Sequence, residues 1–374
     1  MSLGLPLLGT SVISCKSETK STIATPNEIP KSLRILILGG TSFLGPHQIA
    51  YALSRGHSVT TFTRGKSEPT VHQDLFDKVK QLIGDRENDL TALEKGTWDV
   101  VIDNSGHKAE WTKKTAILLK DRVDRYVYIS STGVYYPYLG RDIPENTQVL
   151  TTMPEGIEDK EIKMEYSYGV MKANSEIETK NAFGEARSLV VRPTYMMGPA
   201  DKSDRFIYWP IRLSKGGEIM VPGKPEDPVQ YIDVRDMAEW IIRSIEEKRT
   251  GTFNVVGPKE VQTMPEFVRQ AQSVFDVEST FVQVDDYEFL KENGVPHIVP
   301  WILPEGDNYG SARVDNQKVL KAGLTFRALE DSIKDTLHWW NSDALTNERR
   351  NEFEQKEGSI FLREKEVLEK WKNH

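Results

Sequence analysis

The sequence predicts an α/β protein, a doubly wound parallel sheet with a smaller C-terminal lobe interleaved with it. Three observations predict this. A short apolar run, Arg34 to Leu38, leads into Gly39-Gly40 and then into a helical pattern. That is the succession of a buried parallel strand, a tight turn and a helix. Apolar runs and helical patterns then alternate as far as Val191, and such alternation builds a parallel sheet covered by helices. After Pro193 the pattern changes, with prolines and glycines clustered from Gly198 to Pro228, the punctuation of a second packing unit.

The elements follow in order. Leu44 to Arg55 has helical periodicity and stops at Gly56, a C-cap signal. Ser58 to Thr63 is the second strand, Val79 to Ile83 the third and Asp99 to Asp103 the fourth. Trp111 to Leu119 is helical, Arg125 to Ile129 the fifth strand and Leu189 to Val191 the sixth. Val234 to Glu247 is an amphipathic helix that returns to the main sheet. Short strands and helices continue to about Trp340. Thr346 to His374 is charged and helical in character, either a solvated surface helix or a subunit contact. The resulting organisation is a leader over 1–31, a sheet domain over 32–195 to which 230–256 returns, a lobe over 196–345 and a charged helix over 346–374.

Composition narrows the class. With 38% hydrophobic and 28% charged residues in 374, the chain reads as a soluble globular protein. A net charge of −8 argues against nucleic-acid binding driven by phosphate contacts. No apolar run approaches the roughly 20 residues of a membrane span. The single cysteine, Cys15, rules out an intrachain disulfide or a cysteine metal cluster, and the seven histidines show no HExxH spacing, so no metal is assigned. The leader runs from apolar Leu3–Leu8 through Val12-Ile13-Ser14-Cys15 into a Ser, Thr and Lys-rich stretch. It resembles the end of a bacterial lipoprotein signal, which implies a lipid anchor at Cys15 and a place in the cell envelope. The alternative is a frayed tail on a cytoplasmic protein.

Chemistry concentrates at Tyr168-Gly169-Val170-Met171-Lys172. Positions four apart share a helix face, and a phenol beside an ammonium loses its proton more easily. Such a phenol works as an acid or base near neutral pH. Tyr166 has Val170 four residues on and does not qualify. A YxxxK pattern alone is weak evidence; its weight comes from the glycine turn upstream and from Ser130-Ser131-Thr132 after the fifth strand. In the turn, Gly39 permits the tight bend and Gly45 lets the helix approach the sheet. The helix N-terminus offers N–H groups to a pyrophosphate.

These motifs, with Tyr128-Ile129-Ser130-Ser131-Thr132-Gly133-Val134-Tyr135, Val191-Arg192-Pro193-Thr194, Gly198-Pro199 and Gly251-Thr252-Phe253-Asn254-Val255, resemble the extended short-chain dehydrogenase/reductase superfamily in its NAD-dependent epimerase/dehydratase branch. The likeness runs from about residue 33 to about 340. It implies a Rossmann sheet and a Ser-Tyr-Lys site. Ser131, with Thr132 as the neighbouring candidate, would hold the substrate oxygen. Tyr168 would transfer its proton, and Lys172 would lower the pKa of Tyr168 and bond the nicotinamide ribose. Cofactor contacts are expected from Gly39, Gly40, Thr41, Ser42, Phe43, Leu44 and Gly45, with Ser42 in place of the family's middle glycine. Further contacts are expected from Asp85 at the adenine, and from Asn104, Ser105, Gly106, Ser130, Pro193 and Thr194. Where NAD-preferring relatives place an acid at the end of the second strand this chain has Thr63, followed by Arg64. An arginine there suits a 2′-phosphate, so NADP is preferred and NAD remains open.

Substrate contacts are expected from Thr132, Tyr135, Arg205 and Gln230, with Tyr208, Trp209 and Arg235 nearby. The aromatic and charged run Asp201–Pro210 suits a sugar-like or phenolic molecule. The resemblance thus implies an NAD(P)-dependent epimerase or reductase acting on a carbohydrate-like alcohol or ketone, and a homodimer. Dehydratase members carry an Asp-Glu pair where this chain has Thr132-Gly133, which disfavours that chemistry. The alternative is a non-catalytic nucleotide- or RNA-binding protein on the same fold, since plant RNA-binding relatives share the glycine turn.

Overall fold

The fold was analysed in a computed structural model that describes Met1 and residues 31–374. The expected leader, Cys15 and its lipid anchor included, lies outside the described residues. In chain order the first part comprises β1 (Arg34–Leu38), α1 (Leu44–Ser54), β2 (Ser58–Thr63), β3 (Lys80–Ile83), β4 (Trp98–Asp103), α2 (Ala109–Leu119), β5 (Val123–Ile129), α3 (Lys160–Phe183) and β6 (Ser188–Pro193). There follow β7 (Met196–Met197), α4 (Tyr208–Ser214), β8 (Gly217–Pro222), β9 (Pro228–Asp233), α5 (Val234–Glu246), β10 (Gly251–Val255), β11 (Gly257–Thr263), α6 (Met264–Gln272) and β12 (Ser279–Val284). The last elements are α7 (Tyr287–Glu292), β13 (His297–Ile298), β14 (Trp301–Ile302), α8 (Gln317–Lys321), α9 (Leu329–Trp340), α10 (Asn347–Glu354) and α11 (Ile360–Lys372).

Seven strands form one sheet in the order β3-β2-β1-β4-β5-β6-β10, and every pairing is parallel. Alternate residues of β1 serve opposite faces, as a strand's period of two requires. Ile35 and Ile37 pack with Ile49 of α1 and Met237 and Ile241 of α5, whereas Leu36 and Leu38 pack with Ala116, Leu119 and Phe183 from α2 and α3. The strand order reverses between β1 and β4. In such sheets ligands bind at that point, outside the carboxyl ends of the strands.

β6 runs from Ser188 to Pro193, longer than the apolar core Leu189–Val191 indicated. Its polar flanks are buried because they are bonded: Ser188 Oγ donates to Gly184 O at 2.8 Å, and Arg192 meets Glu176. The returning segment splits. α5 and β10 join the main sheet, while β9 pairs with β7 and β11 in a separate three-stranded sheet. β8 and β12 make a parallel pair of their own. The 346–374 segment is two largely exposed helices, α10 and α11, packed on the lobe. Phe353, Val367 and Leu368 join the lobe core, and buried Glu364 accepts hydrogen bonds from Tyr208, Arg212 and the Met220 amide.

Candidate active site

The glycine turn connects β1 to α1. Gly39 has φ +80°, and its amide donates to Phe62 O of β2 at 3.0 Å. A Cβ on Gly45 would stand 2.5 Å from Gly40 O, so α1 begins hard against the turn only because residue 45 is glycine. No side chain caps the N-terminus of α1; the Gly45 amide donates to Ser42 O at 3.1 Å and Pro46 carries no N–H, so only amides ahead of Gly45 could meet an anion there. A cavity of about 250 Å³ opens here, lined by Gly39, Thr41, Ser42, Thr63, Arg64, Lys66, Ser67, Asp85, Arg86, Glu87, Ser105, His107 and Trp111 among others. Its walls are thus the carboxyl ends of β1, β2, β3 and β4. The uncapped helix, the glycine floor and the cations Arg64 and Lys66 fit the phosphates of a dinucleotide.

Several expected cofactor contacts are turned elsewhere. Leu44 is buried in the core, and a Cβ on Gly40 would strike Thr61 Cγ2 at 2.5 Å, so both serve packing. Asn104 Nδ2 donates to Gly39 O and to Gln48 Oε1, tying the turn to the end of β4. Gly106 packs against Tyr128, whose hydroxyl donates to Gly106 O. Ser130 Oγ donates inward to Glu176 Oε1 at 2.5 Å. Thr194 is buried, as is Pro193 in the last position of β6. Phe43, at φ 41°, packs between two core clusters.

α3 brings the tyrosine to the turn after β5. Asp159 caps this 24-residue helix by accepting from the Glu161 and Ile162 amides. Ser131 Oγ accepts from Gly133 N at 3.0 Å. A Cβ on Gly169 would lie 2.5 Å from Gly133 O, and one on Gly133 would lie 2.9 Å from Tyr168 Cε1. Two glycines therefore let α3 press the Tyr168 ring onto the Ser131–Gly133 turn. Tyr168 keeps 41% of its surface exposed, so it is reachable from solvent. Crowding around the phenol raises its pKa from the ordinary value, while a hydrogen bond with Ser131 and the charge of Arg205 pull it down.

Lys172 departs from expectation. Its ammonium turns beneath the strand end, where Nζ donates to Ile129 O at 3.0 Å and lies 5.9 Å from the Tyr168 ring centre. Burial lowers Lys172 itself from 10.5 to about 8, against the opposing charges of Asp103 and Glu176.

Those two carboxylates belong to buried ion pairs that the motifs did not reveal. Asp103 accepts from Arg86 at 2.6 and 2.9 Å and from Tyr126 OH at 2.6 Å. Burial alone would raise Asp103, but Arg86 holds it below the usual carboxylate range. Glu176 accepts from Arg192 at 2.8 and 2.6 Å. Arg192 also donates to Tyr135 OH at 2.7 Å, and that hydroxyl donates to Asn254 Oδ1 at 2.7 Å. The available signal was position: Glu176 stands four residues beyond Lys172 on one helix, and Asp103 ends β4.

The substrate candidates divide sharply. Tyr135 is 4% exposed and committed to the Arg192–Asn254 network, so it supports the site from below. Both ends of the Gln230 amide clamp the Val314 backbone, at 2.9 and 3.0 Å. Trp209 is buried with Nε1 donating to Val299 O, Tyr208 donates to Glu364, and Arg235 pairs with Asp233 and Asp335. Thr132 is 5% exposed. Arg205 alone stays open, its guanidinium 5.7 Å from the Tyr195 ring centre and its charge acting on Tyr168 and Glu165. Tyr138, Tyr195 and Glu165, unmarked by any motif, act electrostatically on Tyr168 or are acted on by it.

Lys172 yields a test independent of any substrate. Between pH 8 and 10.5 the unfolded chain holds this proton and the folded cofactor-free protein does not, so stability rises with pH. Compared with Lys172→Met, the wild type should gain on the order of 3 kcal/mol across that window. Parallel urea titrations at several pH values measure the difference; equal slopes for the two proteins would mean that Lys172 is not desolvated.

The chain is 28% identical over 305 residues to the chloroplast stem-loop binding protein of 41 kDa b of Arabidopsis thaliana, covering 73% of this chain and 76% of the plant protein. The fold is similar to WbmH of Bordetella bronchiseptica, solved in complex with NAD+, with a TM-score of 0.61 and 13% identity over 84% of this chain and 100% of WbmH. It is also similar to the UDP-N-acetylglucosamine 4-epimerase of Methanobrevibacter ruminantium M1, solved with UDP-N-acetylmuramic acid, with a TM-score of 0.59 and 18% identity over 83% and 98% of the two chains. The family model for NAD dependent epimerases and dehydratases matches residues 35–257, from β1 through the glycine turn, Ser131, Tyr168 and Lys172 to the first residue of β11. The chain belongs to the NAD dependent epimerase/dehydratase family, enzymes of the extended short-chain dehydrogenase/reductase type.

Proposed function

We propose that this enzyme is an NAD(P)-dependent epimerase or reductase of a carbohydrate-like alcohol or ketone, with Tyr168 as its proton-transfer group. The observation that carries the reading is the seat of the partly exposed Tyr168 ring on the Ser131–Gly133 turn, made possible by Gly133 and Gly169. Ser131 would hold the substrate oxygen, and Tyr168 would take or return its proton. Lys172 spends one of its three N–H donors on Ile129 O and keeps the others for the cofactor ribose. The dinucleotide, held by Gly39, Thr41, Ser42 and the N-terminus of α1, supplies or accepts the hydride. Arg205 beside Tyr195 suits a polar, ring-shaped substrate, and the methanogen neighbour binds a sugar nucleotide. Mass analysis of ligand released from purified protein tests the cofactor reading. A screen of sugar nucleotides, following both product stereochemistry and cofactor absorbance, separates epimerase from reductase.

NADP is the proposed preference. Arg64, Lys66 and Ser67 line the cleft after β2, and Thr63 presents no charge to repel a 2′-phosphate. Arg64→Ala should therefore weaken NADPH binding about tenfold or more and NADH binding much less, as loss of a charge-assisted contact of roughly 1.5–3 kcal/mol requires. Fluorescence titration with both cofactors checks it; equal losses would remove Arg64 from the 2′-phosphate site.

The plant relative supports a second reading, RNA binding on the same fold. Binding of a stem-loop RNA that weakens steeply with salt, in protein that takes up no dinucleotide, would favour it.

A further inference from the structure

The cleft is bounded on one side by the segment after β3 and on the other by the start of α2. β3 and β4 are not neighbours, since β2 and β1 lie between them; at about 4.8 Å per strand the two walls stand roughly 14 Å apart. Two consecutive residues nevertheless tie the β3 side to the β4 side. Arg86 does so in the interior, bonded to Asp103 with both side chains below 10% exposure. Glu87 does so at the surface, in an ion pair with Lys108 just ahead of α2, with side-chain exposures of 47% and 56%. The Lys108 ammonium also lies 5.1 Å from the centre of the Trp111 ring. That ring meets His107 edge-on at 6.4 Å. Glu87, His107 and Trp111 all line the cleft.

The two ties differ in what they cost to open. A buried, bidentate pair is lost only with the fold around it. An exposed pair is worth about 1 kcal/mol or less, so thermal motion opens and closes it readily. Its cation–π seat on Trp111 adds a modest attraction.

We propose that Glu87 and Lys108, seated on Trp111, form a strap across the Arg64 end of the cleft that closes behind a bound dinucleotide and sets its residence time. The proposal rests on the reading of this cleft as the cofactor site. A strap lengthens the stay of the cofactor without adding a contact to its reacting end. That property suits an epimerase, which regenerates its cofactor within each cycle.

The test measures release. Protein loaded with NADPH, and separately with NADH, is chased with excess oxidised cofactor, and dissociation is followed by stopped-flow fluorescence. Glu87→Gln and Lys108→Met should each release about two- to fivefold faster than wild type. The double variant should release no faster than the quicker single one, because both remove the same tie. Added salt should speed release from wild type more than from the variants, since the exposed pair is screened. The exchange Glu87→Lys with Lys108→Glu should restore slow release. Unchanged release rates in both single variants, with cofactor still bound, would overturn the strap. If wild type binds neither NADPH nor NADH, the cofactor reading fails instead, and the strap with it.

Discussion

Tyr168→Phe should lower turnover by about 10²–10⁴-fold, the usual worth of a positioned proton-transfer group, while cofactor affinity changes by about twofold or less. The substitution deletes one hydroxyl and keeps the ring that packs on the Gly133 turn, so the fold of α3 against β5 is untouched. Tyr168 keeps part of its ring exposed while packing on the turn that carries Ser131. Losing an interaction made mainly in the transition state should reduce kcat and kcat/KM together and leave KM nearly unchanged. Cofactor titration by fluorescence, alongside steady-state kinetics on whichever sugar nucleotide the screen identifies, makes the comparison. Turnover near that of wild type would end the assignment of Tyr168 as acid and base.

The sheet was legible because buried parallel strands are apolar runs. β1 and β2 were read to the residue, and β3, β4 and β5 start within two residues of the expected positions. The ends of β6 were hidden because Ser188 and Arg192 look like loop residues until their buried partners are known. The same limit governed the site. Spacing puts Tyr168 and Lys172 on one helix face, but it does not say where a four-carbon stem carries the ammonium. The backbone carbonyl of Ile129 captures it. Tyr135 ends a motif and Gln230 lies outside all of them, yet sequence position does not decide whether a side chain meets the cleft or the floor beneath it. Gly133 and Gly169 sit inside quoted motifs without a role assigned there, and their value appears only when α3 and the turn are seen in contact. In the C-terminal segment, a high density of charge concealed the few apolar positions that enter the lobe core.

The buried pair behind the site should prove as decisive for folding as Tyr168 is for chemistry. Glu176→Leu and Arg192→Leu should each destabilise the protein by about 3–5 kcal/mol, because each strands an ion that burial has removed from water. Arg192 and Glu176 are 5% and 4% exposed in their side chains, so solvent cannot take the place of the lost partner. Burial opposes the charge on Arg192, and Glu176 more than restores it. The double variant should recover much of the loss, since no charge is then left unpaired. It should still fall short of wild type, for Ser130 Oγ and Tyr135 OH would each lose a bonding partner. Urea denaturation of the four proteins tests this cycle, and additive losses in the double variant would show that the two charges do not depend on one another. Glu176 also raises the pKa of Lys172, four residues earlier on α3. Glu176→Gln should therefore make Lys172 lose its proton at lower pH than in wild type, shifting the rise of stability that begins near pH 8 toward neutrality. A purely structural pair would leave that rise where it is, so its movement would show that the pair also sets the charge beneath the candidate active site.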